Sequence, residues 1–202
     1  MSTPYRLDKR LVASVLAAAV GIATPFLKDE ESLPVDKKGV PLVYIDPVGV
    51  RTFCYGQTGP LPVQKLTVEL CADLLDKEVD RIGNLILGLV QVPLAPHQLA
   101  ALISFTYNVG DGAFRSSTLL RKLNAGDYKG AAAQFDRWKY AGKRDCTIRI
   151  NNCSRRMKEK ALFLGKGLPY DPLNQDHRGP DPFLRPSRMV RVTFTHRFAG
   201  KP

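Results

Sequence analysis

The chain has 202 residues, 44% hydrophobic and 24% charged. That is the composition of one globular domain with appendages, and it excludes a wholly disordered or collagen-like chain. Thirty Lys and Arg against 19 Asp and Glu leave a net charge of +11, so the expected partner is a polyanion or an anionic surface: nucleic acid, lipid headgroups or a carboxylate-bearing wall. The four cysteines (Cys54, Cys71, Cys146, Cys153) and three histidines (His97, His177, His196) contain no CxxC pair and no His pair four residues apart. Neither a metal nor a cofactor is therefore expected, and nucleophile-plus-histidine chemistry is poorly supported.

In chain order, Arg6, Lys9 and Arg10 precede residues 11–27, a run of 17 without a charge in which about a third of positions are Ala or Gly. As a helix it would reach roughly 25 Å, a little short of a bilayer's hydrocarbon core. Three readings compete: a cleaved signal peptide, with Gly21-Ile22-Ala23 resembling a cleavage site; a weak signal anchor; or a buried core helix with a basic cap. In both targeting cases the basic flank keeps the N-terminus in the cytoplasm and places the body outside the membrane. An exported body with an even cysteine count is compatible with two disulfides, Cys146–Cys153 across a short loop and Cys54–Cys71 as the remaining pair, against four reduced buried thiols.

Residues 40–56 read as a β-hairpin, with Asp46, Pro47 and Gly49 suiting a type I turn. Thr67 can cap a helix whose Leu70, Cys71, Leu74, Leu75, Val79, Ile82 and Ile86 form one apolar stripe. A second helix starts near Pro96 and stops at Asn108-Val109-Gly110. Shorter helices are expected over 117–125, from a cap at Asp127 through Trp138, and from Ser154 to Leu164. The fold class is thus α+β, one small sheet followed by a helical lobe. From Gly167 onward Pro169, Pro172, Pro180, Pro182 and Pro186 interrupt any helix, and the tail over 167–202 reads as a linker or disordered arm apart from a short possible strand over 189–194.

A sheet presenting Asp46 at a turn and Thr52 six residues later, beside a helical lobe, suits the wall of a cleft for an extended polymer. Here the sequence resembles the phage lysozyme family, the endolysins of glycoside hydrolase family 24. The resemblance rests on residues 46–58 (DPVGVRTFCYGQT), 104–110 (SFTYNVG), 117–124 (STLLRKLN), Arg137-Trp138 with Tyr140-Ala141-Gly142, and the Cys146 to Cys153 loop followed by Arg155-Arg156 and Glu159. These motifs stand in family order from about Lys28 to Gly165. The resemblance implies a lysozyme-like α+β fold with the active-site cleft between its lobes. It also implies hydrolysis of the β-1,4 bond between N-acetylmuramic acid and N-acetylglucosamine in peptidoglycan, causing host lysis.

That chemistry requires one carboxylic acid to protonate the leaving oxygen and a second carboxylate to activate water or stabilise an oxocarbenium-like transition state. Asp46 matches the family's second carboxylate and Thr52 its water-positioning hydroxyl, the match that favours water as nucleophile over lytic transglycosylation. The family's acid, in a Glu-Gly-Leu sequence, stands nine residues before the Asp, where this chain has Lys37. Glu31-Ser32-Leu33 mimics that sequence if 34–39 is an inserted loop, which closes at little entropic cost. Glu31 is therefore expected to be the catalytic acid, with Glu30 as the alternative and Asp36 a distant third. Asp29, Glu30 and Glu31 form a like-charge cluster that would favour a proton donor. Gln57 stands where the family usually has His, so altered polar support in the cleft is expected.

A basic flank, a weakly apolar span and then the catalytic Glu also resemble signal-arrest-release endolysins, which are exported tethered and inactive and refold on leaving the bilayer. The expected organisation is a signal anchor over 1–27, a catalytic domain over 28–166 and a tail of unknown role. The expected course is transient inner-membrane association through 11–27, then a monomer in the periplasm acting on peptidoglycan. Residues 115–166 hold 14 basic and four acidic side chains, read as attraction to an anionic envelope; no nucleic-acid partner is expected. The alternative is a catalytically weakened lysozyme-fold protein that binds envelope or virion through its basic tail.

Overall fold

The computed structural model describes residues 9–46, 49–62, 65–138, 140–141, 144–145 and 152–166. The apolar N-terminal run lies in one helix, α1 (Lys9–Glu31), which passes without a break through the expected boundary at residue 27. Its Ala19, Ala23 and Leu27 are four apart and fully buried. This spacing makes one narrow seam, and along it α1 packs on α2 (Val68–Leu89) and α3 (Pro96–Val109). Small side chains let the helices approach closely: a Cβ added at Gly83 of α2 would lie 2.5 Å from Leu16 Cδ1. Thr24 adds a polar clip, donating its hydroxyl to Asp76 Oδ1 at 3.0 Å. Ala17, Ala18 and Gly21, on the other face, are exposed.

Strands β1 (Val43–Ile45) and β2 (Arg51–Phe53) form the expected hairpin, antiparallel with Ile45 opposite Arg51. The turn closes through Gly49 N–H to the Asp46 carbonyl and through Val50 N–H to Asp46 Oδ1. A third strand, β3 (Gln57–Thr58), pairs with β2, because Gly56 at φ +87° and Cys54 at φ +51° turn the chain back at once. The Cys54–Cys71 disulfide fastens that turn to the first turn of α2; of the expected Cys146–Cys153 pair, Cys146 lies outside the described residues.

Helix α2 starts as read, with Thr67 Oγ1 accepting from Leu70 N–H at 3.1 Å, and buries Cys71, Leu75, Val79, Ile82 and Ile86. Helix α3 is the hub, buried continuously from Leu99 to Thr106. After Gly110 the chain enters a six-residue helix, α4 (Asp111–Ser116), too short to leave a periodic signal. Helix α5 (Thr118–Asn124) follows, capped by Ser117. The helix expected from Asp127 through Trp138 is divided: α6 (Tyr128–Ala132) ends early and a 3-10 turn runs over Phe135–Trp138. The physical reason is aromatic packing. Three residues per turn bring Phe135 and Trp138 to the same side, where each meets Phe105 edge-on with centroids 5.3 Å apart. A two-stranded ribbon, β4 (Tyr140–Ala141) and β5 (Arg144–Asp145), then leads to α7 (Asn152–Phe163), which packs against α3.

Candidate active site

Glu31 is the last residue of α1, and Ser32 follows at φ +53°. A left-handed residue is a common way to end a helix, and here it turns the chain out of α1 immediately after the carboxylate. The inserted loop then closes on itself: Val35 bridges Pro41, Leu42 N–H donates to the Pro34 carbonyl, and Asp36 Oδ1 accepts from Lys38 and Val40 N–H. Asp36 is thus a turn-forming residue.

The three adjacent carboxylates separate by helix geometry, each step along the helix turning about 100°. Glu31 faces the β-lobe turn, where its Oε2 would lie 3.1 Å from a Cβ placed on Gly56. Glu30, with only 7% of its side chain exposed, pairs with Lys158 Nζ at 2.6 Å, and Asp29 is 80% exposed at 3.8 Å from the same ammonium. The like-charge cluster expected from the sequence is therefore dispersed, since α7 supplies a cation to each acid. For Glu31 that cation is Arg155, whose Nη1 donates to Oε1.

Arg155 is held by two further residues, Ser104 and Glu159. Its Nη2 donates to the Ser104 carbonyl at 3.0 Å and its Nε to Glu159 Oε1 at 3.0 Å, while Ser104 Oγ donates to the same Oε1 at 2.7 Å. Glu159 Oε2 accepts from Arg156 Nη1, and Arg156 also reaches Asn108 Oδ1 and lies over the Phe105 ring. Burial opposes charge on the Arg155 guanidinium, but Glu31 and Glu159 outweigh it and hold its pKa above the ordinary value. Burial lifts the Glu159 carboxyl above the usual range against the pull of Arg156 and Arg155. The guanidinium N–H groups aimed at it can only donate, so the carboxylate is the form this environment satisfies.

Asp46 lies at the hairpin turn and Thr52 on β2, opposite Tyr44 in the register. Thr52 is buried, and its hydroxyl donates to the Val50 carbonyl at 3.1 Å. The Tyr44 phenol ties the constellation together: burial raises its pKa first, and the charges of both Glu31 and Asp46 add to the rise. Tyr107 of α3 donates to the Tyr55 carbonyl at 2.6 Å, and burial together with the Glu31 charge pushes its ionisation well above the ordinary range. Glu31 and Asp46 thus both bear on Tyr44, whose partner across the β1–β2 pair is Thr52. Gln57 Oε1 accepts from Tyr55 N–H at 3.3 Å, and its Nε2 has no hydrogen-bond partner among the described residues.

The sequence reading assigned no role to Arg155, Ser104 or Glu159. Their signal was Arg155-Arg156-x-x-Glu159 on one helix, a spacing that puts one carboxylate within reach of both guanidiniums. Part of the basic excess over 115–166 is accordingly internal: Arg155 and Arg156 are buried on carboxylates, and Lys122 and Lys160 pair with Asp127 and Asp136. Arg115, Arg121, Lys129, Arg137 and Lys166 remain exposed.

Residues 39–159 match the family model described as phage lysozyme. The chain is 39% identical over 148 residues to a SAR-endolysin of Bacteriophage PS119, covering 70% of this chain and 86% of that protein. It is 39% identical over 139 residues to a SAR-endolysin of Escherichia phage Mu, covering 67% and 81%. Among solved structures, a crystal structure of a P22 lysozyme mutant superposes with a TM-score of 0.58 at 35% identity, covering 71% of this chain and 95% of that one.

Proposed function

The chain belongs to the phage lysozyme family and is an endolysin muramidase, and we propose that Glu31 is its proton donor, Asp46 its second carboxylate and Thr52 the hydroxyl that orients the attacking water. The bond cleaved is the β-1,4 linkage between N-acetylmuramic acid and N-acetylglucosamine in peptidoglycan. Glu31 delivers its proton to the leaving glycosidic oxygen, while Asp46 opposes the positive charge that develops on the sugar ring. Thr52 donates to the Val50 carbonyl, so its oxygen lone pairs are left to accept from a water. The observation that carries the choice of acid is the different surroundings of two neighbours: Glu31 meets Gly56 and Arg155, whereas Glu30 is tied to Lys158.

The test is muropeptide release from purified peptidoglycan by the full chain. Glu31→Gln and Asp46→Asn should each lose about 10²-fold to 10⁴-fold in rate, and Glu30→Gln should stay within a few-fold of the parent. An active Glu31→Gln variant with an inactive Glu30→Gln variant would overturn the assignment.

The same proposal includes the route to the wall: residues 1–27 anchor the chain in the inner membrane, and 28–166 act as a monomeric catalytic domain once released into the periplasm. Two features support it. Helix α1 is, by length and composition, long and apolar enough to cross a bilayer. Glu31 is only four residues from Leu27, so lipid around α1 would hold the donor at the membrane surface, away from Asp46. Docking of α1 on α2 and α3 returns Glu31 to Gly56 and Arg155. The exposed cations of the helical lobe favour proximity to an anionic envelope.

A further inference from the structure

We propose that Glu159 is a positioning residue for the proton donor: it fixes the Arg155 guanidinium against Glu31 and offsets its charge, so that Glu31 can carry the proton it delivers. The inference rests on Glu31 being the acid. A carboxyl group in contact with an uncompensated guanidinium is held in its ionised form, which cannot act as a general acid. Arg155 touches Glu31, so a counterweight is required, and the structure contains one. Glu159 is fully buried and meets Arg155 at 3.0 Å.

The charged and titratable surroundings are few. Among the described residues, Arg155 of α7, Tyr107 of α3 and Tyr44 of β1 face Glu31, the charge of Arg156 also acts on it, and the charge of Asp46 reaches Tyr44. Glu159 is faced by Arg155 and Arg156 on its own helix and by the Ser104 hydroxyl from α3. With both carboxylates ionised, the two guanidiniums are balanced. When Glu31 takes up a proton the group carries one net positive charge; without Glu159 it would carry two. Geometry supports the same role, since the Ser104 carbonyl and Glu159 hold Nη2 and Nε of a planar fork, leaving Nη1 directed at the donor.

The test measures the initial rate of muropeptide release by the full chain across pH, with thermal melting alongside. Glu159→Gln is expected to lose about 10-fold in maximal rate. The sign of the pH effect follows from charge: removing a nearby anion favours the ionised donor, so the alkaline limb should move to lower pH by about one unit. Glu159→Asp keeps the charge and should retain the limb within a few tenths of a unit of the parent. A merely structural role would lower the melting temperature of both variants and leave the limb in place, which would overturn the proposal. Should Glu159→Gln fail to fold, Ser104→Ala is the second arm. It removes a hydroxyl bonded to both Glu159 and Arg155, and a smaller shift in the same direction is expected; no shift overturns the proposal. An active Glu31→Gln variant would instead remove the premise.

Discussion

Replacing Ala17, Ala18 and Gly21 together by Leu should hold the protein in membranes without damaging the folded body. All three positions are exposed on α1, and an added Cβ at Gly21 would meet nothing within 4 Å, so the docked helix can accept the larger side chains. Each Ala→Leu change adds three carbons and the Gly→Leu change four, about 8 kcal/mol of transfer free energy at ~0.8 kcal/mol per methylene. Discounting this by half for imperfect burial in lipid leaves about 4 kcal/mol, a shift of roughly 10³-fold toward the bilayer. Ala19→Leu is the contrasting change, because Ala19 is fully buried and overpacking there should cost about 1–3 kcal/mol of docking. The assay is expression of the full chain, followed by separation of membranes from soluble protein and by culture turbidity. The triple variant should sediment with membranes and delay lysis. If it distributes as the parent does and lyses on the same schedule, export through a reversible anchor is refuted.

Two other substitutions probe how the site is held. Gly56→Ala places a Cβ 3.1 Å from Glu31 Oε2 at a φ of +87°. It should cost about 1–2 kcal/mol of stability in urea unfolding and reduce muropeptide release about 10-fold, whereas unchanged turnover would show that Glu31 does not work against this turn. Changing Cys54 and Cys71 together to Ser releases a cross-link between residues 17 apart. About 3 kcal/mol of unfolding free energy should disappear, with a lower rate at 37 °C because the freed turn carries Gly56; a loss below about 1 kcal/mol would contradict this.

The features legible in the sequence were those written in local chemistry. Thr67 and Asp127 cap the helices they were read to cap, and the Asp46 turn closes by the hydrogen bond expected of a type I turn. Residues 104–110 lie at the buried centre and end of α3. Less legible were elements shaped by distant partners: the third strand that follows the Cys54 turn, the six-residue α4, and the 3-10 turn imposed by Phe105 on Phe135 and Trp138.

By itself the sequence determined that residues 11–27 need an apolar environment and that an acid lies just beyond them. It could not choose between lipid and protein, because both satisfy the same demand. What the packing adds is the docked alternative, in which Ala19, Ala23 and Leu27 are buried and Leu16 lies against Gly83. The choice between Glu30 and Glu31 has the same origin. Neighbouring residues on a helix are separated by a known angle, but the absolute rotation of the helix is set by what it packs against. The docked seam turns Glu31 to Arg155 and Glu30 to Lys158. The buried Glu159, in turn, acquires a role only where the fold brings α7 beside the end of α1.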